Sequence, residues 1–381
     1  MSLEVLLVLA VGVLIAYANG ANDVSKGIAT LVGSGVASYR RAILWGTIWT
    51  GFGGLAGALL ARAMVETFGR GLLAGGTAPT MAATVAMLAG AGAWVAIATR
   101  TGLPVSTTHA IVGSIAGVGT MANGLDGFNW FTLGSKVALP LLLSPVLALM
   151  VTVVALRIWN SFAVGAGRSK ADCLCVVMEP PPLLAEADSI CCSTVPVFPI
   201  RTGIVLAPES ACGFEESGTL RLTLNHLHWL TSGSASFARG MNDAPKMVAL
   251  ILAAGVASGA DTTLHPLAFV LVALAMVAGS WIAGRRVTGV LAEKVTQMDH
   301  YEGFVANLVT AAMVGPGAAL GMPMSTTHVS AGAILGLGSQ DTGRLNWKTV
   351  RDMLLAWVIT LPAAAALGIV VFETLRLARL G

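Results

Sequence analysis

Charge is scarce in this sequence. Only 11% of its 381 residues are Asp, Glu, Lys or Arg, whereas soluble domains carry about a quarter. With 55% hydrophobic residues and a mean hydropathy of +0.80, a water-soluble globule is excluded. The formal net charge of +3 is spread over segment ends with no long basic block, which excludes a nucleic-acid surface. Cysteine is scarce over most of the chain too: Cys173, Cys175, Cys191, Cys192 and Cys212 all fall in one polar stretch between Asn160 and Thr219, which also holds Pro180, Pro181 and Pro182. Their irregular spacing lacks the paired C-x-x-C elements of a zinc site, and thiols facing the cytoplasm stay reduced, so inert thiols are expected. A small-residue cleavage site is missing after the first apolar run. Asn19, Gly20, Asn22 and Asp23 stand there instead, so the run is read as part of the fold.

What the sequence has in abundance is apolar runs of transmembrane length: Leu3 to Ala18, Ala42 to Ala61, Met81 to Ala98, Val137 to Leu156, Pro266 to Ala283 and Met353 to Phe372. They define a polytopic, all-α membrane protein in the lipid bilayer. No soluble catalytic domain fits between them, and no enzyme is expected.

The chain is also written twice. GANDVSKG at Gly20 to Gly27 returns as GMNDAPKM at Gly240 to Met247, and GLPVSTTH at Gly102 to His109 returns as GMPMSTTH at Gly321 to His328. Asp23 to Ser106 spans 83 residues and Asp243 to Ser325 spans 82, so spacing is kept along with the words. Trp130 with Trp347 and Pro145 with Pro362 are each 217 apart, in the same register.

Lys and Arg in short loops favour the cytoplasm. Arg40 and Arg41 follow the first motif in one copy, while Ala257 to His265 of the other has Asp261 and no Lys or Arg. After the second motif the bias reverses, with Asp126 alone in copy one and Arg344, Lys348 and Arg351 in copy two. The copies are therefore expected to be inverted across the membrane. Five crossings are expected per copy, Leu3 to Val32, Ala42 to Ala61, Thr80 to Thr99, Leu103 to Thr120 and Lys136 to Ile158 in the first. The expected division is repeat 1 over 1–158, a cytoplasmic linker over 159–220 and repeat 2 over 221–381, with both termini outside. Arg62, Arg70, Arg376 and Arg379 run against this charge rule, and the parity of five crossings outweighs them.

Each first motif puts Asn and Asp inside an apolar segment, where a charged residue costs about 2.5 to 3.5 kcal/mol on insertion scales. An unwound point at Gly20 and Gly240 is expected, with freed carbonyls and Asp23 or Asp243 serving as sodium ligands or a proton site, and Asn22 and Asn242 adding amide oxygens. In each second motif Ser106 or Ser325 stands at a helix N-cap just past a proline. A helix beginning inside the membrane offers free N–H groups, a partial positive charge and the hydroxyls of Ser106, Thr107 and Thr108, or Ser325, Thr326 and Thr327, to a tetrahedral oxyanion. Close helix packing is the bland role for such residues, but the matched duplication favours binding. For His109 and His328 the bland role is a neutral imidazole bonded to a backbone carbonyl, and the functional one is proton transfer.

GANDVSKGIAT and the repeated STTH resemble the signature of the PiT family of inorganic phosphate transporters, and the resemblance covers both halves but not the linker. It implies sodium- or proton-coupled phosphate symport by an inverted-repeat carrier in the plasma (inner) membrane, with both termini outside, a large central cytoplasmic loop and a homodimeric state. By motif position Asn22, Asp23, Asn242 and Asp243 become cation and substrate-site residues, with Asp23 and Asp243 holding sodium if sodium is the coupling ion. Ser106, Thr107, Thr108, Ser325, Thr326 and Thr327 become phosphate ligands. No cofactor is implied beyond the co-transported ion. The sequence departs from the family at Lys26 and Lys246, where Asn is common. Each amine either pairs with its Asp in the charge role of sodium or snorkels to an interface. Arg239, which replaces Asn19 in the second copy, and Glu302 are second-tier candidates. Sulfate transport and a passive anion channel are the alternatives. An acidic side chain near the anion favours a protonated phosphate over sulfate, because the acid can accept its proton.

Overall fold

The computed structural model describes residues 3–74, 79–165, 173–179, 201–207, 220–257, 264–339 and 341–378. They fall into two units, Met1–Leu156 with His228–Gly381, and Arg157–Leu227. In the second unit the strands β1 (Cys173–Glu179), β2 (Arg201–Ala207) and β3 (Leu220–Thr223) form an antiparallel sheet in the order β2-β1-β3. Val176, Val177, Ile204 and Val205, at or beside their pairing positions, are β-branched residues that favour strands. This sheet is the one departure from an all-α reading among the described residues. Cys173 and Cys175 lie on β1, while Cys191, Cys192 and Cys212 lie outside the described residues.

The first unit is helical. Its first half runs α1 (Leu3–Asp23), α2 (Ser25–Gly33), α3 (Tyr39–Leu60), α4 (Arg62–Glu66), α5 (Met81–Thr101), α6 (Thr107–Asn123), the single turn α7 (Trp130–Thr132) and α8 (Leu139–Gly165). The second half runs α9 (Leu224–Ala257), α10 (Leu264–Ala283), α11 (Arg285–Glu293), α12 (His300–Ala319), α13 (Thr326–Gly338) and α14 (Trp347–Leu377). Among the described residues, six stretches are long and apolar enough to cross a membrane: Val5–Gly33, Tyr39–Leu60, Met81–Thr101, Trp130–Trp159, His265–Ala283 and Trp347–Leu377. Leu59, Leu142 and Val358 are exposed on these helices, as expected of faces turned to lipid.

Several local features of the duplication recur in both halves. Gly102 and Gly321 both take positive φ, 81° and 71°, at the ends of the segments leading to α6 and α13. Leu73 bridges Phe128 as Thr296 bridges Leu345, and the Asn129 and Asn346 side chains cap α7 and α14. The halves also interlock. α1 crosses α10 where a Cβ on Gly20 would lie 2.0 Å from the Met276 carbonyl oxygen, and α9 crosses α3 where one on Gly240 would lie 2.3 Å from that of Thr50. A Cβ on Gly113 of α6 would lie 2.3 Å from the carbonyl oxygen of Leu361 on α14, and one on Gly332 of α13 would lie 2.3 Å from that of Pro145 on α8. At these four crossings a helix of one half is thus seated on a helix of the other at a backbone-to-backbone contact with no room for a Cβ.

Two expectations are corrected. The chain does not unwind at Gly20 or Gly240: α1 stays helical to Asp23 and α9 through Ala257, and the interruption in the first copy is Val24 alone. Both glycines serve close packing instead, because a helix is the geometry that lets two backbones touch there. The expected crossing over Leu103 to Thr120 is not a full-length helix either. α6 has 17 residues and its counterpart α13 has 13, which at 1.5 Å per residue give about 25 and 20 Å, less than the ~30 Å hydrocarbon core.

Candidate functional site

The two short helices begin face to face. Ser106 and Ser325 are their N-caps, accepting from the His109 and His328 backbone N–H at 3.2 and 3.1 Å, as the motif predicted. The Ser325 hydroxyl donates to that of Ser106 at 2.9 Å, so the two caps touch. Around them the halves exchange bonds: Thr108 donates to the Met324 carbonyl at 3.4 Å and Thr327 to that of Val105 at 2.7 Å, each reaching the residue before the opposite cap. Four of the six predicted hydroxyls therefore tie the two helix ends together. Thr107 donates to Asp23 Oδ2 at 3.2 Å. Thr326, 3% exposed, finds no hydrogen-bond partner among the described residues. Inside each first turn, the N–H groups ahead of the capped one have no intrahelical acceptor.

The Asn-Asp motifs lie against these ends. Lys26 Nζ donates to Asp23 Oδ1 and Asn22 Oδ1, both at 2.6 Å, and to the Asn22 carbonyl at 3.0 Å. Lys246 Nζ donates to Thr108 Oγ1 at 2.6 Å, Asp243 Oδ1 at 3.1 Å and the Met324 carbonyl at 3.3 Å. Both lysines are 1% exposed, so neither snorkels to an interface. Asn22 donates to Thr99 and to the Leu103 carbonyl, and Asn242 to Asp243 and the Met324 carbonyl.

Asn19 joins the two copies and had not been singled out as a ligand. Its amide donates to Asp23 Oδ2 at 3.0 Å and to Asp243 Oδ2 at 3.2 Å, while its oxygen accepts from Arg239 at 3.5 Å. A signal was present in its place one helical turn before Asp23, opposite Arg239 in the alignment of the copies. Arg239 is buried, at 1% exposure, and also donates to Thr50 at 2.5 Å and Ser280 at 3.5 Å. It belongs to the site and not to a surface mouth. The buried cluster holds Lys26, Lys246 and Arg239 against Asp23 and Asp243, three cations to two carboxylates, a formal excess of one positive charge.

The remaining candidates separate. His109 and His328 stack with ring centroids 4.5 Å apart, His328 lies 4.0 Å from Trp357, and His328 Nδ1 sits 3.1 Å from the Leu141 carbonyl. For His328 that is the carbonyl-bonded imidazole role, whereas His109 Nδ1 is buried with no hydrogen-bond partner among the described residues. Glu302 takes no part in the cluster. It closes a capping box with Asp299 at the start of α12 and pairs with Arg344 at 2.8 Å, and its hydrogen bonds push the Arg344 pKa above the usual value. Beside the cluster an open cleft of ≈ 640 Å³ is lined by Thr99, Tyr39, Arg100, Arg285, Arg286 and Glu293. Thr99, the acceptor for Asn22, links the two.

Fold and site together define a multi-pass, all-α membrane protein whose two halves close on a buried, oxygen-rich centre. The chain belongs to the phosphate transporter family, whose profile matches residues 19–368. It is 27% identical over 419 residues to the inorganic phosphate transporter 2-1, chloroplastic, of Arabidopsis thaliana, covering 94% of this chain and 70% of that one. It is 28% identical over 400 residues to a Pyrococcus abyssi protein named provisionally as a phosphate permease, covering 97% of each. A solved structure described as the sodium-dependent phosphate transporter superposes with a TM-score of 0.76 at 22% identity, over 99% of this chain and 100% of the other, a likeness of fold. The family is one of transporters and not of enzymes.

Proposed function

We propose that this chain is a secondary active symporter of inorganic phosphate, driven by a cation gradient. The observation that carries the reading is the meeting of two helix N-termini, capped by Ser106 and Ser325 at 2.9 Å from each other, beside a buried cluster with one excess positive charge. Helix N-termini and cationic side chains are what a doubly charged tetrahedral anion requires when it leaves water. Asp23 and Asp243 beside them can accept the proton of HPO4, which sulfate lacks at neutral pH. Thr326 and Thr107, with the first-turn N–H groups, are the direct ligands in this reading. The hydroxyls of Ser106, Ser325, Thr108 and Thr327 reach the anion when the contact between the two caps opens.

The reading includes two halves inverted across the plasma (inner) membrane, with both termini outside and the 159–220 linker in the cytoplasm. It also includes a homodimer, which crosslinking in membranes would test. Uptake of radiolabelled phosphate into proteoliposomes, with sodium and proton gradients imposed separately and sulfate as competitor, tests the activity. Accumulation against the phosphate gradient is expected. Equilibration without accumulation would make the protein a passive anion channel, and equal competition by sulfate would remove the preference for phosphate.

A further inference from the structure

Two ammonium groups sit in donor sets suited to hard cations. Around Lys26 Nζ are a carboxylate oxygen of Asp23, the amide oxygen of Asn22 and the Asn22 carbonyl, at 2.6, 2.6 and 3.0 Å. Around Lys246 Nζ are a carboxylate oxygen of Asp243, the Thr108 hydroxyl and the Met324 carbonyl, at 3.1, 2.6 and 3.3 Å. Each set combines one carboxylate, one neutral side-chain oxygen and one backbone carbonyl, the all-oxygen mixture that hard cations take. An ammonium has three donors, and here each has three acceptors, so both lysines are saturated within the protein. Arg239 adds a third fixed charge, tied through the Asn19 amide to both carboxylates.

Resting on the phosphate-carrier reading, we propose that Lys26 and Lys246 are tethered occupants of the two cation positions, so that this chain moves phosphate without binding sodium. A carrier that holds Asp23 and Asp243 buried must neutralise them, and a mobile ion is one way to do so. In this chain the neutralisation is covalent and more than complete. A sodium ion approaching either carboxylate would meet a fixed like charge in a medium that screens it poorly. To take the ligands it would have to displace an ammonium whose three acceptors among the described residues are those same oxygens, leaving that charge buried and unpaired. Asn19 cannot relieve this, because its amide donates to the carboxylates and its oxygen is turned to Arg239. The excess positive charge that results is available to the anion on every transport cycle, whatever the sodium concentration.

The test uses the full chain, purified and reconstituted. Saturable binding of 22Na+ is measured with and without phosphate, and phosphate uptake is followed at a fixed pH gradient with sodium or choline as the external cation. The parent is expected to show no saturable 22Na+ binding and the same uptake rate in either salt. Saturable, phosphate-dependent 22Na+ binding by the parent, or faster uptake in sodium at constant pH gradient, would overturn the proposal. K26N/K246N keeps an oxygen at each position and removes both charges, and it is expected to acquire 22Na+ binding. A folded K26N/K246N protein, monodisperse with a cooperative thermal transition, that still binds no sodium would overturn the placement of the lysines in cation positions. If the double variant does not fold, the parent measurements decide. Absence of phosphate accumulation under every gradient would count against the carrier reading alone, since the 22Na+ binding arm needs no transport.

Discussion

Thr107 and Thr326 are twins in sequence, and the structure gives them different partners. The Thr107 hydroxyl donates to the buried Asp23 carboxylate at 3.2 Å, whereas Thr326 makes no hydrogen bond among the described residues. Replacing each by valine keeps the shape and removes the hydroxyl. In the absence of phosphate, Thr107→Val takes a donor from a charged acceptor, which costs about 1.5 to 3 kcal/mol, while Thr326→Val exchanges a hydroxyl that makes no hydrogen bond among the described residues for a methyl and is expected to be neutral or slightly stabilising. Towards phosphate the two should converge. If both hydroxyls donate to the bound anion, each variant loses a charge-assisted hydrogen bond, and affinity falls by about tenfold to about 150-fold. Thermal unfolding of the purified variants without phosphate reads the first difference, and equilibrium phosphate binding reads the second. The expected pattern is a destabilised Thr107→Val, an unchanged or steadier Thr326→Val, and weak binding in both. Parental affinity in Thr326→Val would refute the placement of the anion at the helix ends. Equal destabilisation of the two variants would refute the asymmetry described above.

Asp23→Asn leaves the Lys26 ammonium, now 2.6 Å from the carboxylate, buried without a counter-charge, and should cost about 3 to 5 kcal/mol together with loss of phosphate accumulation. Adding Lys26→Met should return much of the stability, and a thermal transition unmoved by Asp23→Asn would show that the pair carries little. Gly240→Ala drives a Cβ to 2.3 Å from the Thr50 carbonyl oxygen, while Gly134→Ala meets nothing within 4 Å. The first should lose about 1 to 3 kcal/mol by overpacking and the second should be tolerated, as judged by chemical denaturation in detergent. For topology, an impermeant thiol reagent applied to intact cells should label single cysteines placed at Ser2 and Gly381 and leave Cys191 unlabelled until lysis. Rapid labelling of Cys191 in intact cells would reverse the assigned orientation.

The membrane class, the twofold duplication and most of the candidate site residues were written in the sequence, because each is a local property. Apolar runs need only length and hydropathy, and a repeated motif needs only comparison with itself. A Ser placed three residues before a His and just past a proline needs only helix-capping geometry, and Ser106 and Ser325 are caps as that rule requires. The role of Gly20 and Gly240 was not local. A glycine in an apolar segment serves equally for unwinding or for close contact, and only the partner backbones at Met276 and Thr50 decide between them. The lysines posed the same difficulty, since a Lys one turn after an Asp either pairs or snorkels. What settled it was the burial of both amines under the opposite half, with Thr108 and Met324 supplied from outside α9. Asn19 and Arg239 complete the centre only because α1 and α9 face each other there, 220 residues apart in the chain. Sequence periodicity records which residues share a helix face. Which face of another half it meets depends on the crossing of helices distant in the chain, and that was decided by tertiary packing alone.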